Sequence, residues 1–230
     1  MSITTNLQNI QNAIATTAHS CGRDPADIKL LAVSKRHSKE SIQEAIDAGQ
    51  LHFGENYIQE AQEKCIAFKD VAFHFIGHVQ SNKAKLAAEL FSMVETVDRL
   101  KLAKVLNKHL EKIDKDLDIL IQVNIGKDPK KYGVDPDETA ALLQSIQSLS
   151  RIRPKGLMTM PPFSTDPTQT RSYFKALRLL SIDCADKKLF YDNENVELSM
   201  GMSHDFKIAI EEGSTSIRVG TAIFGERPNI

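Results

Sequence analysis

The sequence lacks the features that commit a chain to a polyanion, a membrane or a metal. Its 230 residues carry 29 Lys and Arg against 30 Asp and Glu, a formal net charge of −1, so no bulk charge draws it to nucleic acid or to a polycationic partner. Apolar runs are short. The stretch from Ile28 to Val33, itself interrupted by Lys29, is far too short to span a bilayer, and the start "MSITTNLQNI" has no charged segment followed by an apolar one. Cysteine is scarce: Cys21, Cys65 and Cys184 are odd in number, far apart and without a CxxC pair, which reads as free buried thiols rather than a disulfide or zinc site. The seven histidines include no HExxH, and no metal is expected. Low-complexity tracts, long linkers and repeats are also missing, so residues 1–230 are expected to form one domain. These absences together predict a soluble cytoplasmic protein, working as a monomer.

What the chain does have is alternation. With 41% hydrophobic residues it can build a sizeable core. Short runs rich in β-branched and aromatic residues fall at 28–34, 51–54, 73–77, 93–97, 119–125, 154–158, 196–200 and 216–221. Between them lie helical patterns. Asp135-Pro136-Asp137-Glu138 sets a capping acid, a helix-starting proline and a capping-box glutamate before Leu142, Leu143, Ile146 and Leu149. Asp166-Pro167 repeats the signal, Asp98 is a plausible cap for the helix through Leu102 and Leu106, and Gly49 and Gly213 stand where left-handed C-caps would sit. Leu7, Ile10, Ile14 and Ala18 mark an extra amphipathic helix over residues 3–18. Because "LLAVS" and "ILIQVNI" are apolar at consecutive positions, the strands read as parallel and covered on both sides. Eight strands alternating with helices predict an α/β fold, a single (β/α)8 TIM barrel, with a doubly wound open sheet as the alternative.

In such a barrel the carboxyl ends of the strands carry the chemistry. Lys35 ends the first strand, and the other strand ends are polar too: Asn56, His78, Asp98, Asn124, Ser199, Arg218 and Thr221. A half-dry lysine there is either a nucleophilic amine for Schiff-base chemistry or a fixed cation; otherwise it is a surface side chain with its head in water. "SIRVGTAIFGER" favours chemistry. It places Arg218 on one face of a strand, where an inward charge demands a partner, and follows it with Gly220-Thr221-Ala222, small enough for backbone amides to approach a phosphate. Ser199, Gly201 and Ser203 in "ELSMGMSHD" offer further donors to the same anion. An aldehyde-reactive lysine facing a phosphate cradle suggests pyridoxal 5'-phosphate.

The motifs "LLAVSK", "HFGENYIQEA", "FHFIGHVQSNK", "GLMTM", "ELSMGMSHDF" and "IRVGTAIFGER", in this order, closely resemble the pyridoxal phosphate homeostasis protein family from about residue 28 to residue 227. The resemblance implies a single barrel like the N-terminal domain of alanine racemase, with the cofactor held as a Schiff base on Lys35. It also implies that Asn56 lies beside the ring and that Arg218 faces the pyridine nitrogen. Ser199, Gly201, Gly220 and Thr221 then hold the phosphate, and Met200 lines the pocket. Two departures stand out: Arg36-His37-Ser38 follows the lysine where relatives often have a Thr-Lys-Pro-like or Val-Pro-like continuation, and Phe73 heads "FHFIG" in place of tryptophan.

An arginine opposite the ring nitrogen disfavours its protonation and weakens the electron sink that transamination needs, although racemisation on related barrels tolerates it. Racemisation needs two acid/base groups on opposite faces, one of which alanine racemases draw from another domain and their dimer partner. The expectation is therefore a carrier, without robust catalytic turnover, that buffers pyridoxal phosphate, passes it to apoenzymes and so affects amino-acid and keto-acid balance. A weak pyridoxal-phosphate racemase or lyase, and a lysine-dependent aldolase that uses no cofactor, remain as alternatives. Lys127, Lys130 and Lys131 form a second basic feature on "IGKDPKKYGV", a candidate attractor for the phosphate or simply a solvated loop.

Overall fold

Residues 2–226 are described by a computed structural model, in which eight parallel strands close into a barrel in sequence order, each paired with the next and the last with the first. They are β1 (Lys29–Val33), β2 (His52–Glu55), β3 (Ala72–Phe75), β4 (Met93–Val97), β5 (Leu117–Gln122), β6 (Ile152–Met158), β7 (Glu197–Ser199) and β8 (Ser216–Val219). Around them run α2 (Lys39–Asp47), α3 (Ile58–Ala67), α4 (Ala84–Leu90), α5 (Leu100–Ile113), α6 (Thr139–Ile146), α7 (Pro167–Asp186), α8 (Phe206–Glu211) and α9 (Thr221–Phe224). The predicted extra helix is α1 (Ile3–Ser20), capped by Ser2 and buried through Leu7, Ile10, Ile14 and Ala18. Each of those larger apolar side chains stabilises the fold by about 1.5–3 kcal/mol relative to exposure. Among the described residues no helix is long and apolar enough to cross a membrane.

Local chemistry explains most helix boundaries and corrects some expectations. Asp166 accepts the Thr168 N–H at the start of α7, as its cap position requires. Asp135 instead caps a short 3-10 turn over Pro136–Glu138, after which α6 begins at Thr139, so Glu138 completes no capping box and Leu149 lies beyond the helix. Asp98 does not cap α5 either. The cap position belongs to Arg99, and the Asp98 carboxylate is engaged by the Arg99 guanidinium. Gly49 and Gly213 have φ of +91° and +96°, as left-handed helix ends require. Of the cysteines only Cys184 is buried; Cys21 is exposed, because it closes the polar end of α1.

Most of the core lies between the strands and the helices. Two small clusters stand apart from it, Leu31 with Val33 and Ile76, and Met93 with Leu120, Met158 and Met160. Register explains the separation. Leu31 pairs with Arg218, Gly54 with His74 and Met158 with Ser199, so these residues share the inner face of the cylinder. Gly54 makes room there, since a Cβ would come within 3.0 Å of both Leu31 and Ile76. The interior thus sets apolar side chains beside polar ones at the same register: Leu31 beside Arg218, Met93 beside His74 and Met158 beside Ser199.

At the amino-terminal end of the barrel His52 Nδ1 is buried without a hydrogen-bond partner, and burial together with the charges of Lys29 and His74 pushes its pKa down to about 4. Above pH 6.5 both the folded and the unfolded chain hold His52 neutral. Between 6.5 and 4 only the unfolded chain takes the proton, so stability falls as pH is lowered through that window. The urea midpoint is expected to drop between pH 6.5 and 4 in the natural protein and to drop less in His52→Gln.

Candidate functional site

The carboxyl ends of β1, β2 and β8 and the loop after β7 enclose a cavity of about 220 Å³. Lys35, Asn56, Arg218, Gly220 and Thr221 all line it, so five of the expected site residues meet there although they are distant in sequence. Lys35 stands on a turn two residues after β1 and is half-buried. Asn56 directly follows β2, and its Oδ1 is buried without a hydrogen-bond partner. Gly220 directly follows β8 and lies against the end of β1; a Cβ there would crowd Val33 at 3.3 Å. Thr221 starts the turn of α9, where the leading amides have no carbonyl within their own helix. Ser203, Met202 and His204 form the wall on the β7 side, and the last two are exposed, so the cavity opens to solvent.

Arg218 is the floor. The residue is 3% exposed, and its guanidinium donates from Nη1 to Ser199 Oγ at 2.7 Å and from Nη2 to the Thr159 carbonyl at 2.8 Å. Ser199 donates onward to Glu95 Oε2 at 2.5 Å, and His74 Nδ1 donates to the other oxygen, Oε1, at 2.7 Å. Burial lowers the Arg218 pKa, against the opposing pull of Glu95 and Asp205; starting so far above neutrality, the guanidinium stays charged. Burial also pushes the Glu95 carboxyl upward. The His74 hydrogen bond and charge, the Arg218 charge and the Ser199 hydroxyl outweigh it, and Glu95 ends below its ordinary value. The result is a buried cation facing the cavity and a buried anion behind it, bridged by one hydroxyl.

This arrangement relocates three expected residues. Ser199, Met200 and Gly201 are not among the residues lining the cavity. Ser199 points inward but lies a layer below the mouth, saturated by Glu95 and Arg218. Met200 is fully buried and packs in the outer core. Gly201 is needed for its backbone: φ is +95°, a Cβ would meet Ala209 at 2.5 Å, and its carbonyl accepts the Arg218 N–H at 3.0 Å. Of the other polar strand ends, His78 lines a neighbouring cleft and stacks on Tyr132 at 3.8 Å, Asp98 is held by Arg99, and Asn124 closes its own loop through Asp128.

Two of the loop lysines are engaged locally. Lys127 pairs with Asp135 and Asp137, and Lys131 donates to the carbonyls of Met160 and Pro161. Both departures near the site are absorbed locally: His37 stacks on Phe224 at 4.8 Å, Ser38 caps α2, and Phe73 packs on Phe53 at 5.5 Å. Sequence reasoning missed His74 and Glu95. The signal was available, since a histidine in "FHF" and a glutamate in "MVETV" sit mid-strand among apolar residues. Met160 and Met202 were missed as lining residues for want of any polar signal.

Comparison with known proteins places this geometry. Residues 5–228 match the family "Alanine racemase, N-terminal domain". The chain is 40% identical over 227 residues to the pyridoxal phosphate homeostasis protein of Escherichia coli (strain K12), covering 96% of this chain and 95% of that one. It is 41% identical over 231 residues to the protein of the same name from Pasteurella multocida (strain Pm70), covering 99% and 98%. A solved structure of PipY from Synechococcus elongatus PCC7942 with PLP bound superposes with a TM-score of 0.84 at 32% identity, covering 97% of this chain and all of that one.

Removing the buried anion tests the floor. Glu95→Ala leaves Arg218 without its counter-charge and is expected to destabilise the fold by about 3–5 kcal/mol in urea unfolding. Ser199→Ala, which leaves two charged neighbours short of a bridge, is expected to cost about 1–3 kcal/mol.

Proposed function

Because this chain belongs to the pyridoxal phosphate homeostasis proteins, within the alanine racemase N-terminal domain family, we propose that its mouth cavity holds pyridoxal 5'-phosphate on the amine of Lys35. The observation that carries the reading is the convergence of Lys35, Asn56, Arg218, Gly220 and Thr221 on one small cavity. The donor set suits the cofactor group by group. Asn56 has an unpartnered amide oxygen for a ring substituent, Arg218 a donor for an unprotonated ring nitrogen, and the Gly220-Thr221 turn with Ser203 has small, polar groups for a phosphate. When bound, the cofactor supplies an aldehyde carbon that condenses with a primary amine and loses water.

The chain's own residues then define the role. Arg218 is a permanent donor and cannot accept, so it favours a bare ring nitrogen. Its position is fixed by Ser199 and Thr159 rather than by the ligand. Exposed Met202, His204 and Thr221 leave the cavity accessible from solvent. These features suit a protein of pyridoxal phosphate homeostasis, and on this reading it stores the reactive aldehyde and delivers it to apoenzymes.

Mixing the purified chain with pyridoxal 5'-phosphate is expected to give a yellow adduct that borohydride traps, with the pyridoxyl mass on the peptide containing Lys35. Lys35→Ala is expected to lose the colour and the trapped mass while keeping its circular dichroism. Trapping on another residue, or none in the natural protein, overturns the assignment.

A further inference from the structure

Lys35 is followed by a strained residue. Arg36 has φ of +62°, in the left-handed region that side chains with a Cβ avoid. Strain of this kind persists only where the surroundings over-determine it. Here the surroundings are a buried ion cluster that has no part in lining the cavity.

Lys64 of α3 is 3% exposed, and its ammonium donates to the Ser34 carbonyl at 2.7 Å, to Glu55 Oε1 at 2.7 Å and to Glu60 Oε1 at 2.6 Å. An ammonium has three protons, and these acceptors use all of them. The same Glu60 oxygen accepts the Arg36 N–H at 2.5 Å, and Ser34 Oγ donates to Glu55 at 2.7 Å. The peptide carbonyl before Lys35 and the peptide amide after it are therefore gripped by one cation and its carboxylate. Burying such ions is unfavourable when apolar residues of similar volume would pack as well. Burial pushes the Glu55 pKa up, against the pull of Lys64, and Glu55 Oε2 has no hydrogen-bond partner. A cluster that only held α3 to β2 would have no reason to end on both flanks of Lys35.

We propose that Lys64, with Glu55 and Glu60, is a positioning device for Lys35, holding the left-handed turn so that the amine enters the cavity in one direction. This rests on the assignment of Lys35 made above. The device acts on the covalent step and not on filling of the cavity, which separates it from a purely structural role.

Two ligands resolve the difference. Pyridoxal 5'-phosphate reports the covalent step through its absorbance and borohydride-trapped mass. Pyridoxine 5'-phosphate, an alcohol that cannot condense with an amine, reports cavity filling alone by calorimetry. Lys64→Met is expected to slow adduct formation at least ~10-fold, and Glu60→Gln several-fold, with pyridoxine 5'-phosphate affinity within about twofold of the natural protein. Should Lys64→Met fail to fold, Glu60→Gln decides, since Glu60 is partly exposed. Natural rates in the folded variants, or equal losses for both ligands, overturn the proposal. Absence of any Lys35 adduct in the natural protein overturns the cofactor assignment instead.

Discussion

Arg218 lies inside the cylinder, where an unpaired cation would cost several kcal/mol, and the inner face of the barrel is organised to meet it. Glu95 on β4 supplies the opposite charge, Ser199 on β7 bridges the two, His74 on β3 saturates the remaining carboxylate oxygen, and the Thr159 carbonyl takes the second guanidinium branch. Contributions from these strands mean that a register error in β3, β4, β7 or β8 would break the network around the charges. These polar contacts thus favour the closed barrel, and the apolar clusters of Leu31 and Met93 share its inner face with them. The same pairing turns Arg218 into a fixed floor for whatever enters the mouth.

The fold was readable because each local signal agreed with the next. Consecutive apolar positions in "LLAVS" come from a strand covered on both sides, and Asp166-Pro167 and Gly213 mark the helix ends they were expected to mark. Lys35, Asn56, Arg218, Gly220 and Thr221 were legible as neighbours for a related reason: each lies at or within two residues of the carboxyl end of a strand, and a barrel brings such ends to one rim. Ser199 was read as a phosphate donor because it stands at the small-residue turn of "ELSMGMSHD". Such a turn does not reveal depth. Depth along the barrel axis depends on strand tilt and stagger, which one strand's sequence does not encode, and so Ser199 falls a layer beneath Arg218 instead of at the mouth. Met200 and Gly201 fail similarly: one turns to the outer core, and the other serves a tight backbone approach to Ala209.

The two ion clusters near the mouth divide the work by depth. The Glu95 and Arg218 pair lies inside the cylinder, whereas the Lys64 cluster lies between β2 and α3 and reaches the backbone on either side of Lys35. One fixes a wall of the cavity, the other the root of a side chain that enters it. Both rely on the same economy of donors. Lys64 uses all its protons on carbonyl and carboxylate oxygens, and Arg218 spends two branches on Ser199 and Thr159 before it meets the cavity.

The pairing of β1 with β8, in which Leu31 sits opposite Arg218, joins the first strand of the barrel to the eighth. Synthesis on the ribosome delivers β1 seven strands before the partner that closes the ring. A nascent polypeptide therefore carries Lys35 well before Arg218, Gly220 and Thr221, which line the same cavity, have been made. Only after the eighth strand has emerged and zipped onto the first does the mouth cavity come into existence, so its walls mark a completed ring.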